Sequence, residues 1–159
     1  MEVSIHANMA DEETSKISDV LRGPFEIIGK DLSKDYGGII EHLWIDFELI
    51  ESHAMQRPPR SFRFQKRVSG GSAKPLLGFV MPDETNVGHY SVRPDFRALK
   101  KMPLESVVTY ALNLIYSSTS VLTERQKKLG GFDAQRFRSD FVSSCKRHGY
   151  LILSHNGAR

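Results

Sequence analysis

The chain has a single cysteine, Cys145, so no disulfide can form within it, and a staple-dependent secreted scaffold is excluded. It also lacks a long hydrophobic run. The most apolar stretch, Val107 to Leu122, is broken by Thr109, Asn113 and the hydroxyl residues from Ser117 to Ser120. A membrane-spanning helix needs ~20 mostly apolar residues, so this stretch reads as a core helix. The start, MEVSIHANMADEE, has neither the basic opening nor the apolar run of a signal peptide, and cytoplasm is the expected compartment. Recognisable reactive motifs are missing as well. HExxH, CxxC and nucleophile-elbow patterns are absent, and no glycine pair opens a GxGxxG or phosphate-cradling loop.

What is present fits one globular domain over 1–159, with 1–10 and 154–159 as its loosest ends. Hydrophobic residues make up 40% and charged residues 26%, which rules out disorder as a description of the whole. The net charge of +3 hides a strong asymmetry. Met1 to Gln56 holds 4 Lys/Arg and 12 Asp/Glu, whereas Arg57 to Arg159 holds 18 Lys/Arg and 7 Asp/Glu. Either the two parts neutralise each other or a basic face is left for an acidic partner.

The clearest pattern runs from Ile40 to Glu51. Leu43, Ile45, Phe47 and Leu49 alternate with His42, Trp44, Asp46 and Glu48, the period of a half-buried strand. A second alternating run, Arg60 to Val68, sets Phe62, Phe64 and Val68 against Ser61, Arg63, Gln65 and Arg67. Pairing the two as a hairpin with Leu49 opposite Phe62 brings Glu48 to Arg63 and Trp44 to Arg67. Such cross-strand pairs contribute ~0.2–1 kcal/mol each. Leu76–Met81 and Val87–Val92 read as further strands, and Glu2–Ala7 as a short strand or a frayed end. The fold class expected is α+β: a single domain with an antiparallel sheet of about four strands and two main helices packed on one face.

Helical periodicity is read in Asp11–Leu21, stopped by Gly23-Pro24, and in Leu104 to about Lys127, opened by Pro103. A last helix follows Asp133 as N-cap, with Phe137, Phe141 and Cys145 on its apolar stripe. Gly149 ends it, and Tyr150–Leu153 is expected to close the sheet. The glycine pairs at 37–38, 70–71 and 130–131 are turns.

Three kinds of chemistry compete for the polar strand face. His42, Asp46 and Glu48, with His89 as a second-strand contributor, are metal-ligand and acid–base types. Alternate strand positions lie ~7 Å apart, however, so an ordinary solvated face looks the same. Cys145, on an apolar stripe, reads as a buried small hydrophobe, not a nucleophile. Arg57, Arg60, Arg63 and Arg67, with Lys127 and Lys128, are the nucleic-acid candidates. The interleaved Phe62 and Phe64 belong to the core side, so they offer bases no stacking platform. The reading preferred is non-catalytic binding of another macromolecule, most of all a protein. Its anchors are Trp44, His42, Asp46, Glu48, Arg63 and Arg67, since interfaces favour Trp and Arg ringed by polar groups. Immunity proteins, antitoxins and inhibitors share this size and composition. No cofactor, no metal and no membrane partner is expected. Nucleic-acid binding is the alternative, and a metal-dependent enzyme on His42, Asp46 and Glu48 the third.

Overall fold

The computed structural model describes residues 1–7, 12–49, 64–67, 76–80 and 86–153. Among these, five strands form one sheet: β1 (Glu2–Ala7), β2 (His42–Phe47), β3 (Phe64–Arg67), β4 (Leu76–Val80) and β5 (Val87–Arg93). Their order is β1-β2-β5-β4-β3. β1 with β2 and β2 with β5 are parallel, while β5 with β4 and β4 with β3 are antiparallel. The helices are α1 (Ser15–Leu32), α2 (Phe96–Lys101), α3 (Leu104–Ser118), α4 (Ser120–Glu124) and α5 (Ala134–Arg147).

The α+β class stands, but the antiparallel sheet does not: its first three positions are parallel. Alternation along β2 suggested an antiparallel sheet because such sheets commonly leave one face solvated, whereas parallel sheets are usually covered on both. Here a parallel strand keeps one open face. The expected hairpin fails for the same reason. Both edges of β2 are taken by β1 and β5, so the second alternating run pairs elsewhere, with Phe64 opposite Phe79 and Arg67 opposite Leu76. The proposed contact of Trp44 with Arg67 is therefore not a cross-strand pair. Arg63, with Arg57, Arg60 and Gly70-Gly71, lies outside the described residues.

The inner row Leu43, Ile45 and Phe47 is fully buried and meets α1, α3 and α5 in one core. α1 runs through Gly23-Pro24, against the expected stop. Proline disfavours helix in the preceding residue because its ring meets that residue's Cβ, and Gly23 has none. The stripe Ile17, Leu21, Phe25, Ile28 and Leu32 then continues unbroken, and Phe25 meets Phe47 edge-on at 6.0 Å. The long helix expected up to Lys127 instead breaks at Ser118-Thr119. There the two hydroxyls donate to the carbonyls of Ile115 and Tyr116, and helix gives way to α4 and a 3-10 turn at Gln126–Leu129. Hydroxyl back-bonding of this kind bends helices.

Asp133 caps α5, accepting from Arg136 N–H at 3.0 Å, and Cys145 is buried beside Phe137 and Phe141 as the spacing predicts. Burial pushes the Cys145 thiol up to about 12. Tyr150–Leu153 is not a strand. The Asn113 carboxamide donates to Leu151 C=O at 2.8 Å and accepts from Leu153 N–H at 2.7 Å, doing for that segment what a neighbouring strand would do.

Two devices lock the helical layer. Gly38 (φ +77°) passes so close to the 129–132 turn that a Cβ there would collide with the Leu129 carbonyl and stand 2.8 Å from Phe132 N. Gly131 (φ +85°) has the same left-handed backbone and open space around it. Gly131→Ala should therefore cost only the conformational term, about 1 kcal/mol. Gly38→Ala adds a backbone collision and should cost more than about 2 kcal/mol. Urea titration of both variants checks the ordering, and equal losses would mean that the crossing is looser than described.

The second device ties α1 to α5. Asp31 accepts from the Ser144 hydroxyl at 2.7 Å, from His148 Nε2 at 2.9 Å and from Arg147 at 3.2 Å. The Ser144 hydrogen bond above all, then His148 and Arg147, outweigh partial desolvation and hold its carboxyl below the ordinary Asp value of 3.8. A depressed folded-state value means stabilisation that is present above the ordinary carboxylate range and lost as pH falls through it. Asp31→Asn should be less stable than wild type near neutrality, and the gap should close on acidification through and below the ordinary carboxylate range. Denaturation midpoints across that range read this directly.

Candidate functional site

The outer row of the sheet carries the polar residues that the alternation of β2 promised. Register sets Trp44 between Ser4 on β1 and His89 on β5, with His42 opposite Glu2 and Asp46 opposite His6 and Ser91. Because side chains alternate on a strand, Ser4, His6, His42, Trp44, Asp46, His89 and Ser91 all point away from the core. Trp44, the chain's one tryptophan, is 42% exposed at the middle of this face.

Its neighbours hold it in a frame. The rings of His6 and His42 stand 5.5 Å and 5.3 Å from the Trp44 ring, both tilted to it. His42 is itself fixed, with Nε2 3.1 Å from the Ser4 hydroxyl and Nδ1 3.7 Å from the Glu2 carboxylate. On the other side Asp46 accepts from His89 Nε2 at 2.6 Å. One strand position further, Glu48 accepts from Arg93 Nε at 2.7 Å, with side-chain exposures of 10% and 13%. The arginine that meets Glu48 is thus Arg93 of β5 and not Arg63.

The three residues proposed as a metal or acid–base group do not converge. His42 turns to Ser4 and Glu2, Asp46 to His89, and Glu48 to Arg93. Among the described residues no three His, Cys, Asp or Glu side chains stand close enough to share an ion. Serine, imidazole and carboxylate do line up at Ser4, His42 and Glu2. Acyl transfer also needs N–H donors aimed at the developing oxyanion. On a pleated strand those donors lie in the plane of the sheet, directed at neighbouring strands and not at a substrate above it. The row therefore fits hydrogen-bonded support for Trp44 better than covalent chemistry.

His6, Ser4 and Arg93 were not singled out by the sequence. His6 lies in the segment read as a strand or a frayed end, and Arg93 sits just past the expected end of its strand. Lys127 and Lys128, two of the nucleic-acid candidates, are exposed on the 3-10 turn after α4. Arg67 is the last residue of β3, the strand at the far edge of the sheet from β1.

Comparison of the chain with protein-family models, with curated proteins and with solved structures finds no match. Among the described residues no helix is long and apolar enough to cross a membrane.

The Glu48–Arg93 pair sits at the C-terminal end of the parallel strands and is mostly out of water. Removing one member of such a pair leaves an uncompensated charge, whereas replacing both by apolar groups is often close to neutral. Arg93→Met leaves the buried Glu48 carboxylate uncompensated and should lose about 3 kcal/mol, and adding Glu48→Met should recover part of that loss. A chemical-denaturation cycle over the variants checks this. Independent, additive losses would show that the two side chains are not coupled.

Proposed function

We propose that the protein works by binding another macromolecule, a protein, through the outer sheet face centred on Trp44, and that it does so without catalysis. The observation that carries this reading is a half-exposed tryptophan held between two histidine rings, on a strand whose own neighbours are locked in hydrogen-bonded pairs. A large aromatic that is already ordered loses little entropy when a partner covers it, which is the physical basis of an interface hot spot. Occupying a partner's surface in this way is how immunity proteins, antitoxins and inhibitors act. A reduced, deeply buried Cys145 and the absence of any other cysteine suit the cytoplasm as its place of action.

Nucleic acid is the weaker reading for this face. Glu2 and Asp46 flank Trp44, and phosphates approaching a stacking tryptophan would meet carboxylates before cations.

The test is Trp44→Ala. The residue is exposed, so the fold should persist, with unchanged circular dichroism and thermal midpoint. Truncating a central anchor should weaken association at least ~30-fold, the equivalent of ~2 kcal/mol. Affinity capture from the native cell, run in parallel with wild type and variant as bait, should recover a protein with the first and lose it with the second. Recovery of the same proteins by both baits would refute the proposed face.

A further inference from the structure

Of the three histidines on the outer sheet face, two have a carboxylate to answer a positive charge and one has none. His42 Nδ1 stands 3.7 Å from Glu2, and His89 Nε2 is 2.6 Å from Asp46. His6 faces Asp46 across the β1–β2 ladder, but that carboxylate is already taken by His89. The His6 ring meets the Trp44 ring at 5.5 Å and makes no hydrogen bond or ion pair among the described residues.

The wider surroundings do not supply one. Glu2 lies four residues away along β1, roughly 13 Å in a strand, and turns to His42. Further along β2, Glu48 is held by Arg93 of β5 at 2.7 Å. β4, the next strand beyond β5, has no titratable residue over Leu76–Val80. α1 brings Arg22, Glu26 and Lys30 to the rim that His6 borders, and these charges are answered within the helix. Arg22 pairs with Asp19 at 3.3 Å, and Glu26 has Lys30 one turn on.

We infer that His6 makes binding at the Trp44 face proton-sensitive: the partner covers the face while His6 is neutral and is released when His6 takes up a proton. This rests on the docking reading above and adds the regulation of that same site. A partner that covers Trp44 also takes the rings beside it out of water. Imidazole is the side chain whose charge changes between about pH 5 and 8. Covering a neutral ring costs little, whereas an imidazolium with no carboxylate must be desolvated unpaired. Attraction of the cation for the indole offsets only part of that cost. His42 and His89 are not equivalent to His6, because each meets a carboxylate already in place when it gains a proton. Protonation of His6 is thus the step that a bound partner excludes. A ligand that binds one protonation state is released as the other becomes populated.

The chain's single tryptophan reports the proton uptake directly, since a charged imidazole quenches a neighbouring indole far more than a neutral one. Emission of the free full-length chain should fall between about pH 7.5 and 5.5 with unchanged circular dichroism, and the fall should shrink in His6→Gln. Release is read on the protein that wild type recovers from its native cell, as the ratio of its affinities at the two pH values for each bait. One excluded proton predicts about a tenfold loss for wild type across that range. His6→Gln should make its own two affinities equal, whatever their level, while His42→Gln should keep the wild-type ratio. His6→Phe, which keeps a ring against Trp44 but has no proton to gain, should also give equal affinities and replaces His6→Gln if that variant does not fold. Equal affinities for wild type, a loss that persists in the His6 variants, tighter binding at the lower pH, or emission indifferent to His6 would overturn the inference. A flat wild-type ratio removes it while the docking reading stands, whereas recovery of no partner by wild type near neutrality removes both.

Discussion

The structure depends on β2 having a parallel neighbour on each side. Parallel neighbours cannot be joined by a tight turn, so the chain must leave the sheet between β1 and β2, and α1 is what fills that excursion. That excursion carries Phe25 to Phe47 and sets Gly29 against the backbone of β1. The same placement leaves Leu43, Ile45 and Phe47 fully buried in the apolar core, while every second residue of β2 is turned outward. The inner row supplies apolar burial and the outer row holds Trp44, and neither can be shifted without the other. A one-residue slip of β2 would expose three fully buried side chains and bury a histidine, a tryptophan and an aspartate.

That coupling explains what could be read from the sequence and what could not. The alternation of Ile40–Glu51 identified the strand, its inner set and its outer set, because face assignment is a property of one strand alone. Partner choice is not. Glu48 finds an arginine whether β2 pairs with the 60–68 run or with β5, so the charge match that suggested the hairpin was degenerate. It is met by Arg93, two residues from a loop aspartate that caps the next helix. The parallel arrangement was hidden for a related reason: an open sheet face produces the same period of two in either pairing, and only coverage of both faces would have erased it.

The remaining differences share a cause in local signals overruled by packing. Gly23-Pro24 is a stop by composition, yet a glycine before proline removes the clash that makes it one, and the apolar stripe of α1 carries through. Ser118-Thr119 reads as ordinary helix by spacing, yet its hydroxyls compete for the helix carbonyls and turn the chain. Tyr150–Leu153 is a short apolar run of the kind expected to close the sheet, but it finds a single carboxamide, Asn113, in place of a neighbour. In the site, Trp44, His42, Asp46 and His89 were legible as one face. His6 and Ser4 were not, since a strand of six residues at the start of a chain gives no sign of what it will pair with.

β1 therefore does more than extend the sheet. Its inward side chains, Val3 and Ile5, are core; its outward ones, Ser4 and His6, steady His42 and Trp44; its outer edge gives the Val3 N–H to the Ser33 hydroxyl at the end of α1 and lies against Gly29. Around Trp44 each carboxylate of the row already has a neighbour, Glu2 with His42, Asp46 with His89 and Glu48 with Arg93, so the ladder that aligns β1, β2 and β5 also sets the tryptophan among polar groups whose contacts are made within the sheet.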